Sequence, residues 1–157
     1  MTADAIQPVE PAYRNVLRAR AAIFWLPLFV GSIIADRLLL ADWPISGLVP
    51  VLVALLAFGG SIIAPNRVYR RLGYMIDDRL LRVVHGWLFH TDTIVPFVRV
   101  QHIDVTRGPI DKLFGTASLV VHTAGTHNSI IVLPGLAPDR AADMRETIRG
   151  SIRADAE

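Results

Sequence analysis

Cysteine is absent from this 157-residue chain. No disulfide framework, thiolate nucleophile or cysteine metal site is therefore available to it. Lysine is almost absent too: Lys112 stands alone among 16 basic residues, and the rest are arginines. Arginine is the better bidentate ligand for carboxylate and phosphate groups. Excess charge of either sign is also lacking, since the formal net charge is +2. Residues 66–157 hold 12 basic and 10 acidic residues, too even a balance for a field that tracks nucleic-acid phosphates. No G-x-S-x-G elbow, glycine-rich phosphate loop or H-E-x-x-H pattern occurs. The five histidines (His85, His90, His102, His122 and His127) form no close ligand motif. Asp77 and Asp78 are adjacent carboxylates, which point apart at a strand end and suit a turn better than acid–base work. The expectation is a protein without catalytic, cofactor or metal residues, and without a nucleic-acid partner.

What the chain does have is grease. Hydrophobic residues make up 52% of it, and its mean hydropathy is +0.42. From Pro44 to Pro65 there is no charged residue over 22 positions, and Arg67, Arg70 and Arg71 follow at once. At about 1.5 Å per residue this run reaches roughly 33 Å, enough to cross a hydrocarbon core. A second run begins at Ala21, after Arg14, Arg18 and Arg20. It reaches crossing length if it extends through Leu38–Leu40, with Asp36 and Arg37 at a membrane face. A cleaved signal peptide is the competing reading, but an equally apolar segment follows too closely. Arginines before the first run and after the second put both termini in the cytoplasm by the positive-inside rule. The pattern divides the chain into a cytoplasmic N-terminal tail (1–20, flexible over 1–12), a transmembrane hairpin (21–65, with helices near 21–41 and 44–65) and a cytoplasmic domain (66–157). Gly59, Gly60 and Ser61 offer a small-residue surface for packing against other helices.

The domain reads as short strands. Tyr74–Ile76 precedes the Asp77–Asp78 turn, and Leu81, Val83, His85, Trp87 and Phe89 alternate on the next strand. Ile94, Pro96, Val98 and Val100 continue with period two. The apolar phase then slips to Ile103 and Val105, which predicts a bulge, bend or break near Gln101–His102. Leu119, Val121 and Thr123 alternate, turn residues fill Gly125–Asn128, and Ser129–Leu133 returns. After Gly135 the spacing turns helical, with Pro138 in the first turn and Ala141, Met144, Ile148 and Ile152 on one stripe. The order is a hairpin-rich antiparallel sheet, then one amphipathic helix.

Several motifs in this half share an order with a known family. Val95–Pro96, Arg99–His102, Gly108–Pro109, Phe114–Gly115 and Thr123–Gly125 resemble the pattern of the bacterial pleckstrin-homology-like (PH-like) domain of YdbS-like membrane proteins. The resemblance implies an α+β membrane protein. In it, a two-helix transmembrane hairpin precedes a bent antiparallel sheet or barrel of about seven strands, capped by a C-terminal helix. It implies a bacterial inner-membrane location and no established activity. A pleckstrin-like scaffold can host protein, peptide or lipid binding, and fold does not choose among them.

Two residue groups are therefore candidate sites. Gln101 and His102, at the phase slip, either satisfy backbone groups freed by the irregularity or join Arg99 in a surface that contacts a protein partner. Arg67, Arg70 and Arg71 are placed to contact anionic lipid headgroups. Specific phosphoinositide recognition is not expected, because the first hairpin carries Asp77 and Asp78 and only Arg79 and Arg82 nearby. The leading expectation is an interaction module that assembles with other copies or related PH-like membrane proteins. Anionic-lipid sensing and an accessory role beside a membrane transporter or enzyme are the alternatives.

Overall fold

The computed structural model describes residues 6–77, 79–86, 91–124 and 130–154. Strand β1 (Gln7–Pro8) leads into helix α1 (Tyr13–Leu39), a turn, and helix α2 (Leu48–Phe58). A π-helical turn (Gly59–Ile63) and α3 (Ala64–Arg70) carry α2 onward as one 23-residue helix. The wide turn has a cause in the sequence. Pro65 has no N–H for the Ser61 carbonyl, and its ring crowds the preceding turn. Seven strands are assigned among the described residues, in two antiparallel sheets. One has the order β1-β2-β3-β4, with β2 Gly73–Ile76, β3 Leu80–His85 and β4 Thr91–Pro96. The other has the order β5-β6-β7: Val100–Thr106, Ala117–Thr123 and Ile130–Leu136. The short helix α4 (Pro109–Leu113) joins β5 to β6, and α5 (Pro138–Ala154) closes the chain. Ala141, Met144 and Ile148 of α5 are buried in the core, with Ile152 packed at its margin, as the stripe required.

The register shift expected near Gln101–His102 is present: Val100 pairs with Thr123 and His102 with His122, leaving Gln101 as the extra residue. The preceding stretch differs from its period-two reading. β4 stops at Pro96 and a 3-10 turn (Phe97–Arg99) follows, so Val95 and Phe97 are buried while Ile94 and Val98 face out. Adjacent apolar residues at 94–95 and 97–98 left the phase ambiguous, and the turn after Pro96 resolved it. At the first hairpin the Asp77 N–H donates to the Leu80 carbonyl (2.9 Å), which closes a turn. Asp78, Trp87, Phe89, His90 and the Gly125–Asn128 turn with His127 lie outside the described residues.

The expected domain boundaries need correction. The stretch before the first apolar helix is not a free tail. Gln7 and Pro8 pair with Tyr74 and Gly73. The Glu10 N–H donates to the Gly135 carbonyl (2.8 Å). Val9, Tyr13 and Val16 sit in the same hydrophobic core as Leu81, Phe97, Leu119 and Met144. At the other boundary, the second apolar helix does not stop at residue 65 but runs to Arg70, three residues before β2. Charge ends the lipid-facing surface there; it does not end the helix. The head therefore comprises residues on both sides of the hairpin, and both helices enter it without a linker.

The hairpin is locked at its far end by Asp36. This residue, expected near a membrane face, lies at the tip of the hairpin. It is 4% exposed and accepts from the Gly47 N–H (2.9 and 3.0 Å) and the Ser46 hydroxyl (3.3 Å). The carboxylate thus serves the unpaired amides that open α2, where the helix dipole favours an anion. Trp25 packs on Gly60: a Cβ there would come 2.8 Å from the indole Cε2. Gly60 is thus used inside the hairpin rather than by a further helix.

Candidate functional site

Two surfaces hold the residues singled out from the sequence. The first is the juncture of α3 with the head. Arg67 and Arg70 lie in the last turns of α3, and Arg71 follows it. All three are exposed and, with Asn66, Ile62 and Ile63, they line a cavity of about 450 Å³. Arg70 and Arg71 also line a second cavity of about 550 Å³ with Ile6, Pro8, Leu72, Gly73 and Val84. Arg18 of α1 donates to the Asn66 side chain (3.0 Å), which fixes the two helices at one height. Isoleucines below and arginines above make the profile of a bilayer edge, where apolar surface gives way to phosphate-compatible donors.

The second surface surrounds the bulge. Arg99, Gln101 and His102 are all exposed. The Arg99 carbonyl accepts from the Ala124 N–H (2.8 Å), which anchors the 3-10 turn to the end of β6. His102 does not turn to the backbone. Its Nε2 lies 2.9 Å from the Asp104 carboxylate, and His122 Nε2 approaches the other oxygen at 3.6 Å. The two imidazole rings are 5.8 Å apart. The cluster follows from register: His102 and Asp104 share a face of β5, and His122 is the direct cross-strand neighbour of His102. Sequence spacing gave no sign of it, because His102 and His122 are 20 residues apart. Among the described residues no group of three or more His, Cys, Asp or Glu side chains has the arrangement of a metal site.

A third constellation was missed entirely. Asp111 in α4 is 4% exposed. Its carboxylate accepts from Arg20 of α1 (3.0 and 3.3 Å), the Gly108 N–H (3.1 Å) and the Thr116 hydroxyl (3.2 Å). The Thr116 N–H donates to the Asp111 carbonyl (2.8 Å). One buried acid thus orders the β5–β6 connection and ties it to the first membrane helix. At the first hairpin, Arg82 is committed to Asp92 through its Nε (2.9 Å), and that carboxylate raises the Arg82 pKa further above its ordinary value. Asp92 offsets the Arg82 charge, which leaves less net positive charge there for a phosphorylated headgroup.

The combination defines a class: a transmembrane helical hairpin bearing a PH-like head of two antiparallel sheets and a C-terminal helix. The comparisons agree with it. The family model for the bacterial PH domain matches residues 12–152. The transmembrane protein YdbS of Bacillus subtilis (strain 168) is 32% identical over 108 residues. That match covers 68% of this chain and 66% of YdbS, just under two thirds of the relative's length. No solved structure matches the chain. The chain belongs to the bacterial PH domain family, of the YdbS-like membrane type. The family match begins at residue 12, inside the segment that the sequence pattern had set apart as a tail.

Proposed function

We propose that this protein is a non-enzymatic platform that crosses the inner (plasma) membrane twice, keeps both termini in the cytoplasm, and assembles with protein partners through its head. The partners include further copies of the chain and related PH-like membrane proteins. The observation that carries this reading is the linker-free mount. Two helices continue from the core of the head into the hairpin, so the surface of Val98, Arg99, Gln101 and His102 is held at a fixed attitude to the bilayer. A tethered surface of fixed orientation raises the effective concentration of partners confined to the same membrane. Its mixed charge suits protein contact. Cross-linking and co-purification from native membranes test it. The intact chain retains a partner, and R99E/H102E reduces the yield at least several-fold. A strictly monomeric species from native membranes, with nothing retained, contradicts it. For topology, a thiol at Asp42→Cys is labelled from outside intact cells and one at Arg140→Cys is not.

A second reading is favoured by the arginine-lined cavity at the head of α3: contact with anionic lipid headgroups by Arg67, Arg70 and Arg71. Each arginine near an anionic leaflet contributes on the order of 1 kcal/mol. The intact protein co-purifies with phosphatidylglycerol, and R67Q/R70Q/R71Q loses most of it. Lipid retention that ignores headgroup charge rules this reading out.

A further inference from the structure

We propose that helix α4 is a third point of membrane contact, with Leu113 seated in the bilayer interface and Lys112 at the level of the lipid phosphates. Of the residues around α4, Ile110 and Phe114 pack against the core and Asp111 is buried. The adjacent Lys112 and Leu113 are left facing out, and Leu113 is 78% exposed. A single exposed leucine is ordinary on a water-facing surface, as Val98 is at 76%; what sets Leu113 apart is its height relative to the apolar helices.

The height of α4 identifies what covers Leu113. Arg20 is the last charged residue before the apolar run of α1, and Ile23, Phe24 and Leu26 just beyond it are exposed, as lipid-facing residues are. The bilayer surface therefore lies within about one helical turn of Arg20. Asp111 is bonded to Arg20, so α4 lies against the headgroup region. Leu113 is two residues from Asp111, about 3 Å of helix rise. The other side of the hairpin gives the same level independently. Arg18 is bonded to Asn66, and Ile62 and Ile63 are exposed about one turn below it. The head is thus seated on the membrane by the arginines at the end of α3 and by α4. A leucine beside a single cation is the pairing that interfacial segments use, apolar into the acyl boundary and charge toward phosphate. The occupant is the bilayer that the hairpin already crosses, so the contact continues an existing interface. It does not depend on what the outer face binds.

Because the chain has no cysteine, single labels can be placed without background. Nitroxides at Leu113→Cys, Val98→Cys and Phe24→Cys are read in the full chain, in phosphatidylethanolamine–phosphatidylglycerol vesicles. The measurement is relative collision with oxygen and with a water-soluble nickel complex. All three positions are exposed, so labelling leaves the core intact. The label at 24 reports hydrocarbon and the label at 98 reports water. The label at 113 shows an oxygen-to-nickel ratio several-fold above that at 98, and between the two references. A ratio at 113 equal to that at 98, with 24 lipid-like, overturns the proposal and leaves the membrane crossing intact. A water-like ratio at 24 overturns both. A label at 113 that is lipid-shielded in vesicles but nickel-accessible in detergent supports the bilayer as the cover.

Discussion

Replacing Gly135 by alanine probes the docking of the first helix on the head. A Cβ at Gly135 would fall 2.5 Å from Tyr13 Cγ and 2.7 Å from Tyr13 Cβ. Real carbon contacts do not come so close. Tyr13 Cβ is fixed to the backbone of α1, so a change of rotamer cannot relieve the clash; the helix itself must shift. Gly135 also has φ +74, a conformation that costs alanine about 1 kcal/mol. Overpacking adds roughly 1–3 kcal/mol, for a total near 2–4 kcal/mol. Three other glycines separate the causes. Gly115 has φ +67 and nothing within 4 Å of its would-be Cβ, so G115A carries strain alone, about 1 kcal/mol. Gly60 carries the clash with Trp25 alone, and Gly59 carries neither. G59A should be neutral or gain about 0.5–1 kcal/mol from helix propensity. Thermal unfolding in a mild detergent, followed by circular dichroism, reads the series at roughly 2–4 °C per kcal/mol. The expected order is G59A, then G115A, then G135A, with G135A lowest by several degrees. A G135A melt equal to that of G115A would refute the packing of Tyr13 on β7.

The same melt checks three further expectations. Asp111→Ala strands the Gly108 and Thr116 donors and unpairs Arg20, a loss of about 2–4 kcal/mol. Arg20→Ala costs about 1 kcal/mol, because Arg20 is half exposed. Equal effects would mean that Arg20 is the main partner of Asp111. Asp36→Ala removes the acceptor at the start of α2 and costs about 1–2 kcal/mol; an unchanged melt would show the lock to be idle. Deleting Gln101 removes the bulge but keeps Ile103 on the core face, so the head stays folded. Deleting Asp104 instead turns Val105 outward and abolishes the transition. Equal tolerance of the two deletions would contradict the observed register.

Elements that repeat a local period were legible from the sequence: the stripe of α5, the two hairpins, and the slip that became the bulge at Gln101. Arg99, Gln101 and His102, named from the sequence as candidates for partner contact, and Arg67, Arg70 and Arg71, named for lipid contact, are all exposed. What stayed hidden is what the fold brings together from afar. Arg20 and Asp111 are 91 positions apart, and neither belongs to a motif. A strand of two residues with a proline in it, Gln7–Pro8, has no period to read. Val9, Tyr13 and Val16 do recur at helical spacing. However, Arg14 interrupts them, and Arg18, Arg20 and an apolar run follow, so the pattern reads as a basic flank rather than as core.

This segment, which precedes the first apolar helix, is part of the head. Burial of Val9, Tyr13 and Val16 contributes roughly 1.5–3 kcal/mol each, a sum comparable to the whole stability of a small domain. The most direct measurement is the unfolding of residues 66–157 expressed alone. A featureless, non-cooperative melt is predicted. A sigmoidal transition at the temperature of the intact chain would show that the head folds without Val9, Tyr13 and Val16.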